Sequence, residues 1–294
     1  MISNFLDETC VPLFFIISGY LFFVGVEQSF SFTAYKRKIK TRFASVVVPL
    51  VVSNVVFLVP KLISANGQMD MMSVLSAFWS YNGSGSPINV PTWYLRDLIV
   101  VAVCSPILFV LIKRVKIVWL AMLLGCWLTD RWHLPGLGIK SISFFTIGAC
   151  LSINDNGIDI IERLKIRTYW YMYVLVFIAT CLLQSYIGTA LLSKISVLAA
   201  FPVWVACAYG LKAAFRGLSC PKSLVVGTFF VFLYHYSIAH RVLWALSGIA
   251  GRTDMALSVG LVFSGVLTVG VLLLIYGLLR KYMPRPLGVL MGGR

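Results

Sequence analysis

Charged residues are scarce in this 294-residue sequence, and acidic residues are the scarcest. Asp and Glu number 10 in total, and charged residues make up 12% of the chain, about half the share that is usual in soluble domains. Hydrophobic residues make up 60%, and the mean hydropathy is +0.91. One soluble core of this size cannot bury so much apolar surface. The composition therefore excludes an ordinary soluble protein and predicts an integral membrane protein.

Several signatures of well-known enzyme sites are also missing. The chain has no G-x-S-x-G elbow, no P-loop, no H-E-x-x-H and no dinucleotide-binding fingerprint. Its seven cysteines include no C-x-x-C pair, and most lie in apolar runs, where a free Cys behaves as a small hydrophobe. We predict reduced, structural cysteines and no metal site. Any active site has to be assembled from different spans.

Long apolar runs are what the sequence has in abundance. A helix needs roughly 20 apolar residues to cross the hydrocarbon core of a bilayer. This length predicts an all-α transmembrane helix bundle of about nine spans, which form one membrane domain over residues 1–294. The spans lie near residues 10–27, 45–62, 95–112, 115–129, 140–153, 169–187, 193–211, 224–246 and 256–279.

The formal charge of +15 comes from the connections between these runs. Most of the 25 Lys and Arg residues fall in every second loop, starting with the basic loop Lys36–Arg42. The positive-inside rule then predicts that the basic loops and the C-terminus are cytoplasmic and that residues 64–93 are outside. The first span would run inward, and a further helix is expected upstream of Met1. No basic face of a soluble domain is visible, so we expect no nucleic-acid partner.

The segment P-T-W-Y-L-R-D places two charged residues at the external end of a predicted span. Arg96 and Asp97 lie just inside a span, after Trp93 and Tyr94. A charge costs roughly 2.5–3.5 kcal/mol at the bilayer centre, which makes each one a functional candidate. Two interpretations stay open. Arg96 either snorkels to the interface and pairs with a carboxylate, or points into a cavity with Asp97 as its orienting group.

The segment F-L-Y-H-Y-S-I-A-H places two histidines in a later span. Tyr236 and His240 are four residues apart and share a helix face, whereas His235 and His240 do not. That spacing disfavours a zinc pair. His235 is either a hydrogen-bonded packing residue or a proton-transfer group, a role that suits histidine near neutral pH.

The basic loop also allows two interpretations. Lys36, Arg37, Lys38 and Arg42 either mark the cytoplasmic side or form an anion site for a phosphate-bearing molecule such as coenzyme A.

A family resemblance joins these segments. The sequence contains, in order, VPLFFIISGYLFF, RKIKTRF with a following proline, WYLRDLIV, FFTIGACLS, FFVFLYHYSIAH and KYMPRPLGVLMGGR. In this order they resemble bacterial acyltransferase family 3, the integral-membrane O-acyltransferases, over essentially the whole chain. The resemblance implies about ten helices. It also implies transfer of an acyl group, usually acetyl, from cytoplasmic acyl-CoA to a sugar hydroxyl of an envelope polysaccharide or lipid-linked glycan.

The resemblance also assigns roles to residues. Arg96 falls in the family's Trp-Tyr-x-Arg region, and His235 matches its late-helix histidine. The pair Ser18-Gly19 falls in the family's second helix, where small residues would let backbones approach beside the site. Family members open with a helix that carries an Arg and a His base, and this sequence begins after that point.

The predicted site therefore has three parts. The catalytic residues are Arg96, Asp97 and His235. The substrate-binding residues are Trp93, Tyr94, Ser18, Tyr236 and His240. Acyl-CoA is the donor substrate, with no bound cofactor, and is held by Lys36, Arg37, Lys38 and Arg42. The expected location is the bacterial inner membrane. Two alternatives remain, a small secondary transporter or exporter and an inactive truncated remnant.

Overall fold

The chain folds into helices. The computed structural model describes residues 2–26, 31–66, 68–132, 134, 136–153, 165–215, 221–250 and 254–293, and this part of the chain contains no strand. Twelve α-helices are described: α1 Ile2–Phe23, α2 Phe32–Arg42, α3 Val48–Ser64, α4 Met71–Ser76, α5 Trp93–Val103, α6 Ser105–Leu128, α7 Ile139–Ile153, α8 Ile166–Ile187, α9 Ala190–Ala214, α10 Lys222–Ala250, α11 Asp254–Tyr282 and α12 Pro284–Leu290. The prediction of an all-α membrane bundle is confirmed.

The number of crossings differs from the sequence-based count. Within the described residues, 5 helices are long and apolar enough to cross a membrane, and a sixth follows if one bent pair counts as a single span. Two shorter apolar helices, Thr9–Phe23 and Ile139–Ile153, fall below that length. The predicted count of nine is not confirmed.

The basic segment is helical, which corrects its prediction as a loop. Lys36–Arg42 lies within α2, and a π-helical turn at Phe43–Val47 joins α2 to α3. Lys and Arg are good helix formers, and no Gly or Pro occurs between Phe32 and Pro49. The result is one helical stretch of 33 residues, Phe32–Ser64.

The boundary predicted near residue 112 is also wrong. The break falls at Cys104, where α5 and α6 meet at a 63° bend. Pro106 lies in the first turn of α6, and a proline ring there is incompatible with a helix that continues from the preceding residues. The basic residues Lys113 to Lys116 instead lie inside α6, where Val115 leaves helical geometry and kinks the helix.

One compact unit combines Met1–Lys38 with Val100–Leu218. Within this unit α1 and α7 cross closely at two glycines. A Cβ at Gly19 would lie 2.1 Å from the carbonyl oxygen of Phe145, and a Cβ at Gly148 would lie 1.9 Å from that of Ile16. Only glycine allows this approach, so Gly19 of the predicted Ser18-Gly19 pair does lie where two backbones approach closely; that this crossing adjoins the functional site stays a prediction.

The second compact unit combines Ile39–Ile99 with Ser219–Arg294. Here α10 packs along α11, and Gly227 faces Leu273 and Tyr276 closely. The C-terminal tail returns to α3. Gly292 has φ of +69° and its α-carbon approaches the backbone of Ala44, a position where a side chain has no room.

Candidate functional site

Arg96 is buried in the second unit and forms four hydrogen bonds. Its side chain is 6% exposed and that of Asp97 is fully buried. Nε and Nη2 both donate to Asp97 Oδ1, over 3.0 and 2.8 Å, while Nη1 donates to the carbonyl oxygens of Trp79 and Gly85. The snorkelling interpretation is therefore wrong, because the guanidinium turns into the protein. The predicted pairing of Arg96 with Asp97 is confirmed.

The loop before α5 is shaped to meet this guanidinium. Left-handed backbone at Asn82, Gly83 and Gly85 turns the chain so that carbonyl groups face inward. At the start of α4, Asp70 Oδ2 accepts a hydrogen bond from the backbone N–H of Ser73 over 3.2 Å. Hydrogen bonds from Ser73 lower the pKa of the fully exposed Asp70 carboxyl, as expected of a helix N-cap.

A buried amide network lies next to this loop. Asn54 of α3 donates from Nδ2 to Thr92 Oγ1 over 3.0 Å, and its Oδ1 accepts from the backbone N–H of Asn89 over 2.9 Å. Asn89 Nδ2 in turn donates to the carbonyl oxygen of Leu233 over 2.9 Å. All three polar side chains are at most 2% exposed. The network therefore fixes the entry to α5 against both α3 and α10.

His235 lies two residues beyond Leu233 on α10. Its Nδ1 lies 2.9 Å from the carbonyl oxygen of Phe232 and 3.2 Å from that of Val231. Carbonyl oxygens only accept hydrogen bonds, so Nδ1 carries the proton, and in the neutral ring Nε2 keeps its lone pair. A row of rings connects α5 with this residue, since Tyr94 lies edge-on to Phe232 at 6.0 Å and Phe232 lies 6.4 Å from the imidazole.

The other predicted substrate-binding residues of this unit lie further out. Trp93 and Tyr94 are half-buried in the first turn of α5. Tyr236 is 46% exposed, and His240, one turn along the same face, is exposed as well. The structure therefore brings Arg96, Asp97, Trp93 and Tyr94 onto one helix turn, and places His235 on a helix that contacts that turn.

The residues predicted to bind the donor do not all lie in one unit. Ser18 and Lys36–Lys38 belong to the first unit and Arg42 to the second. Lys38 donates to the carbonyl oxygens of Phe22 and Val24, the latter over 2.8 Å, and so caps the C-terminus of α1. Lys36 is exposed and lies over the ring of Phe32 at 4.8 Å.

The amide network was missed from the sequence. Asn54 follows Ser53 within an otherwise apolar span, and a polar pair in such a run is a usable signal for a contact between helices. Asn89 and Thr92 carry no such signal, because they lie in a segment that reads as an ordinary loop.

Comparison with known proteins finds a family match for this sequence. Residues 1–277 match the family model described as "Acyltransferase domain". The chain is also 30% identical over 166 residues to the "Succinoglycan biosynthesis protein ExoH" of Rhizobium meliloti (strain 1021). That match covers 52% of this chain and 43% of the relative, so the chain spans less than half of the relative's length. No solved structure matches the chain.

Proposed function

Because this chain belongs to the acyltransferase family whose model covers residues 1–277, we propose that it transfers an acyl group to a sugar hydroxyl of a cell-envelope polysaccharide or lipid-linked glycan. The family match carries the proposal. The name of the relative, a protein of succinoglycan biosynthesis, supports a polysaccharide acceptor. The proposed donor is acyl-CoA, with acetyl-CoA as the usual form.

The proposed reaction is an ester exchange. A base removes the proton of the sugar hydroxyl, and the oxygen attacks the thioester carbonyl carbon. The carbonyl oxygen becomes an oxyanion, the C–S bond breaks, and the departing thiolate takes the proton back from the base. Such a site needs an unprotonated base and a positive donor near the developing oxyanion.

His235 and Arg96 supply these two groups in the proposal. The Nδ1–H bond of His235 to its own helix holds the tautomer in which Nε2 is the base. Residues that the structure describes occupy four of the five N–H groups of Arg96, and the fifth, on Nη2, is proposed to bind the oxyanion. Asp97 orients Arg96, and Trp93 and Tyr94 supply apolar and aromatic contacts for the sugar.

The donor side of the proposal rests on charge. The exposed cations of α2, Lys36 and Arg37 among them, attract the phosphates of CoA, while Lys38 is engaged as a helix cap. The proposed location is the bacterial inner membrane, with the basic segments and the C-terminus in the cytoplasm.

Reconstitution tests the proposal directly. Purified protein in lipid vesicles is incubated with radiolabelled acetyl-CoA and an envelope glycan, and ester formation is followed by mass spectrometry of the glycan. We expect acyl transfer that stops when Nε2 of His235 is removed. Binding of CoA without any transfer to a panel of glycans would contradict the proposed reaction.

A transporter remains the second candidate because of one observation. The 63° break between α5 and α6 is a feature of the discontinuous helices found in secondary transporters. Flux of a labelled glycan precursor across vesicles that lack acyl-CoA separates the two functions. Flux without transfer would favour an exporter, and neither flux nor transfer would favour an inactive remnant.

A further inference from the structure

A groove with cations at one end opens between α10 and α11. It has a volume of about 540 Å³ and is lined by Ser223, Leu224, Leu273, Tyr276, Gly277, Arg280 and Lys281. Gly227 holds the two helices together one turn beyond it. The walls are apolar, and no carboxylate occurs among the residues that the structure describes there.

Tyr276 gives the groove a polar group. The residue is 7% exposed and lines the groove. A phenolic hydroxyl can donate a hydrogen bond. A ligand in this groove that carries an acceptor could therefore bind the Tyr276 hydroxyl.

The charges around Tyr276 favour an anion. Arg280 lies one turn further along α11, beside Lys281. On the opposite wall α10 begins at Lys222, and the first N–H groups of a helix carry partial positive charge. A phosphate at this position would accept hydrogen bonds from Arg280, the Tyr276 hydroxyl and the Ser223 hydroxyl.

The apolar surroundings identify what carries the phosphate. Val225, Leu274 and Leu278 are 57%, 63% and 49% exposed on the outer faces of the two helices, as side chains in contact with lipid tails are. Basic pockets between transmembrane helices bind the headgroups of anionic lipids. We propose that this groove binds the phosphate of an anionic phospholipid, whose acyl chains run along Leu224 and Leu273. The site is independent of the proposed acyl transfer.

Native mass spectrometry of the purified full chain tests the site. Phosphatidylglycerol is titrated into detergent-solubilised protein, and lipid adducts are counted. We expect one tightly retained lipid, about fivefold weaker binding for Arg280→Gln, in line with the usual contribution of one cation near a lipid surface, and an intermediate loss for Tyr276→Phe. Arg285→Gln is the matched control, because Arg285 is exposed near the same end of the chain but outside the groove.

Three outcomes would overturn the proposal. Equal losses of lipid binding in Arg280→Gln and Arg285→Gln would mean that the lipid responds to the general surface charge and not to the groove. Equal retention of phosphatidylcholine and phosphatidylglycerol would mean that the groove does not recognise an anion. Displacement of the lipid by coenzyme A in the wild-type protein, but not in Arg280→Gln, would show that the groove binds the phosphates of the donor substrate. If Arg280→Gln does not fold, Tyr276→Phe decides the first two outcomes, because it keeps the ring and the packing.

Discussion

Asn89 donates a hydrogen bond from Nδ2 to the carbonyl oxygen of Leu233, 144 residues away in the sequence. This contact joins the segment that leads into Arg96 to the helix that carries His235. The two proposed catalytic residues thus lie on elements that one buried amide ties together. Amides in such a network have no access to water, so their geometry is tightly determined.

Removal of the central amide is expected to destabilise the second unit. Asn54→Leu keeps the shape of the side chain but leaves the buried N–H of Asn89 without an acceptor, which typically costs about 1–3 kcal/mol. Ser53→Ala is the control, since the buried Ser53 hydroxyl donates to the carbonyl oxygen of Leu50 in its own helix and, among the described residues, joins no other element. Thermal unfolding in detergent measures both variants. Equal shifts of the unfolding temperature in both variants would show that the hydrogen bond between Asn54 and Asn89 does not contribute to stability.

This network marks the limit of what the sequence reveals. Composition and the length of apolar runs were sufficient to predict an all-α membrane protein, because the hydrocarbon core of the bilayer requires apolar helices of a given length. The contact between Asn89 and Leu233 depends on how α3, α5 and α10 meet. No local pattern encodes that meeting, so only the structure shows it.

Arg96→Lys is expected to insert normally and to transfer acyl groups at least tenfold more slowly. Lysine keeps the charge but loses the planar fork that binds Asp97 and the loop carbonyls together. The expected loss is a cautious value, since removal of one oxyanion donor typically costs about 100- to 1000-fold in rate. Glycan O-acylation is measured by mass spectrometry at matched membrane abundance.

The exposed Arg131 provides the matched control as Arg131→Lys, which we expect to be silent. Wild-type acylation in Arg96→Lys would leave Arg96 as a residue that holds the loop and has no part in the chemistry.

His235→Asn is expected to fold and to lose acyl transfer by about 100-fold or more, within the usual range for a general base. The asparagine amide can donate to the Phe232 carbonyl as Nδ1 does, so the packing role is retained, but nothing replaces Nε2. Rates at matched membrane abundance are compared with those of the wild-type protein. An active His235→Asn would support the packing interpretation.

The identity of the candidate residues was predictable from the sequence, but the orientation of their side chains was not. A charged pair or a histidine in an apolar run is costly in a membrane, so Arg96, Asp97 and His235 stand out in the sequence. The direction in which these side chains point cannot be read from the sequence. Whether Arg96 faced the interface or the interior depended on the loop from Trp79 to Gly85, which folds back over α5.

Reporter fusions test the predicted orientation. Fusions after Arg42, Arg114 and Arg216 are expected to report cytoplasm, and fusions near Ser84 and Arg252 the outside. Arg114 is the most informative site, because it lies within α6 beside the kink at Val115. A cytoplasmic signal there would mean that the two halves of α6 belong to different crossings, since cations at the bilayer centre are costly. Two or more inverted signals would refute the orientation.

The crossing of α1 and α7 leads to a prediction about stability. Gly19→Ala places a methyl group 2.1 Å from the Phe145 carbonyl oxygen, and Gly148→Ala places one 1.9 Å from that of Ile16. Atoms of the backbone cannot rotate away, so the two helices have to separate. Overpacking of this kind typically costs about 1–3 kcal/mol. We expect both variants to unfold at lower temperature in detergent.

A third glycine of the same unit separates this steric effect from the loss of a glycine as such. Gly125 lies within α6, and a Cβ built there meets nothing within 4 Å. Gly125→Ala is expected to be neutral or to stabilise the protein, because alanine favours the helix by roughly 0.5–1 kcal/mol over glycine. Opposite signs for Gly19→Ala and Gly125→Ala would establish the close crossing. Losses of the same size in both would show that the backbones of α1 and α7 do not approach as described, and that the small residues of the first apolar run have another role.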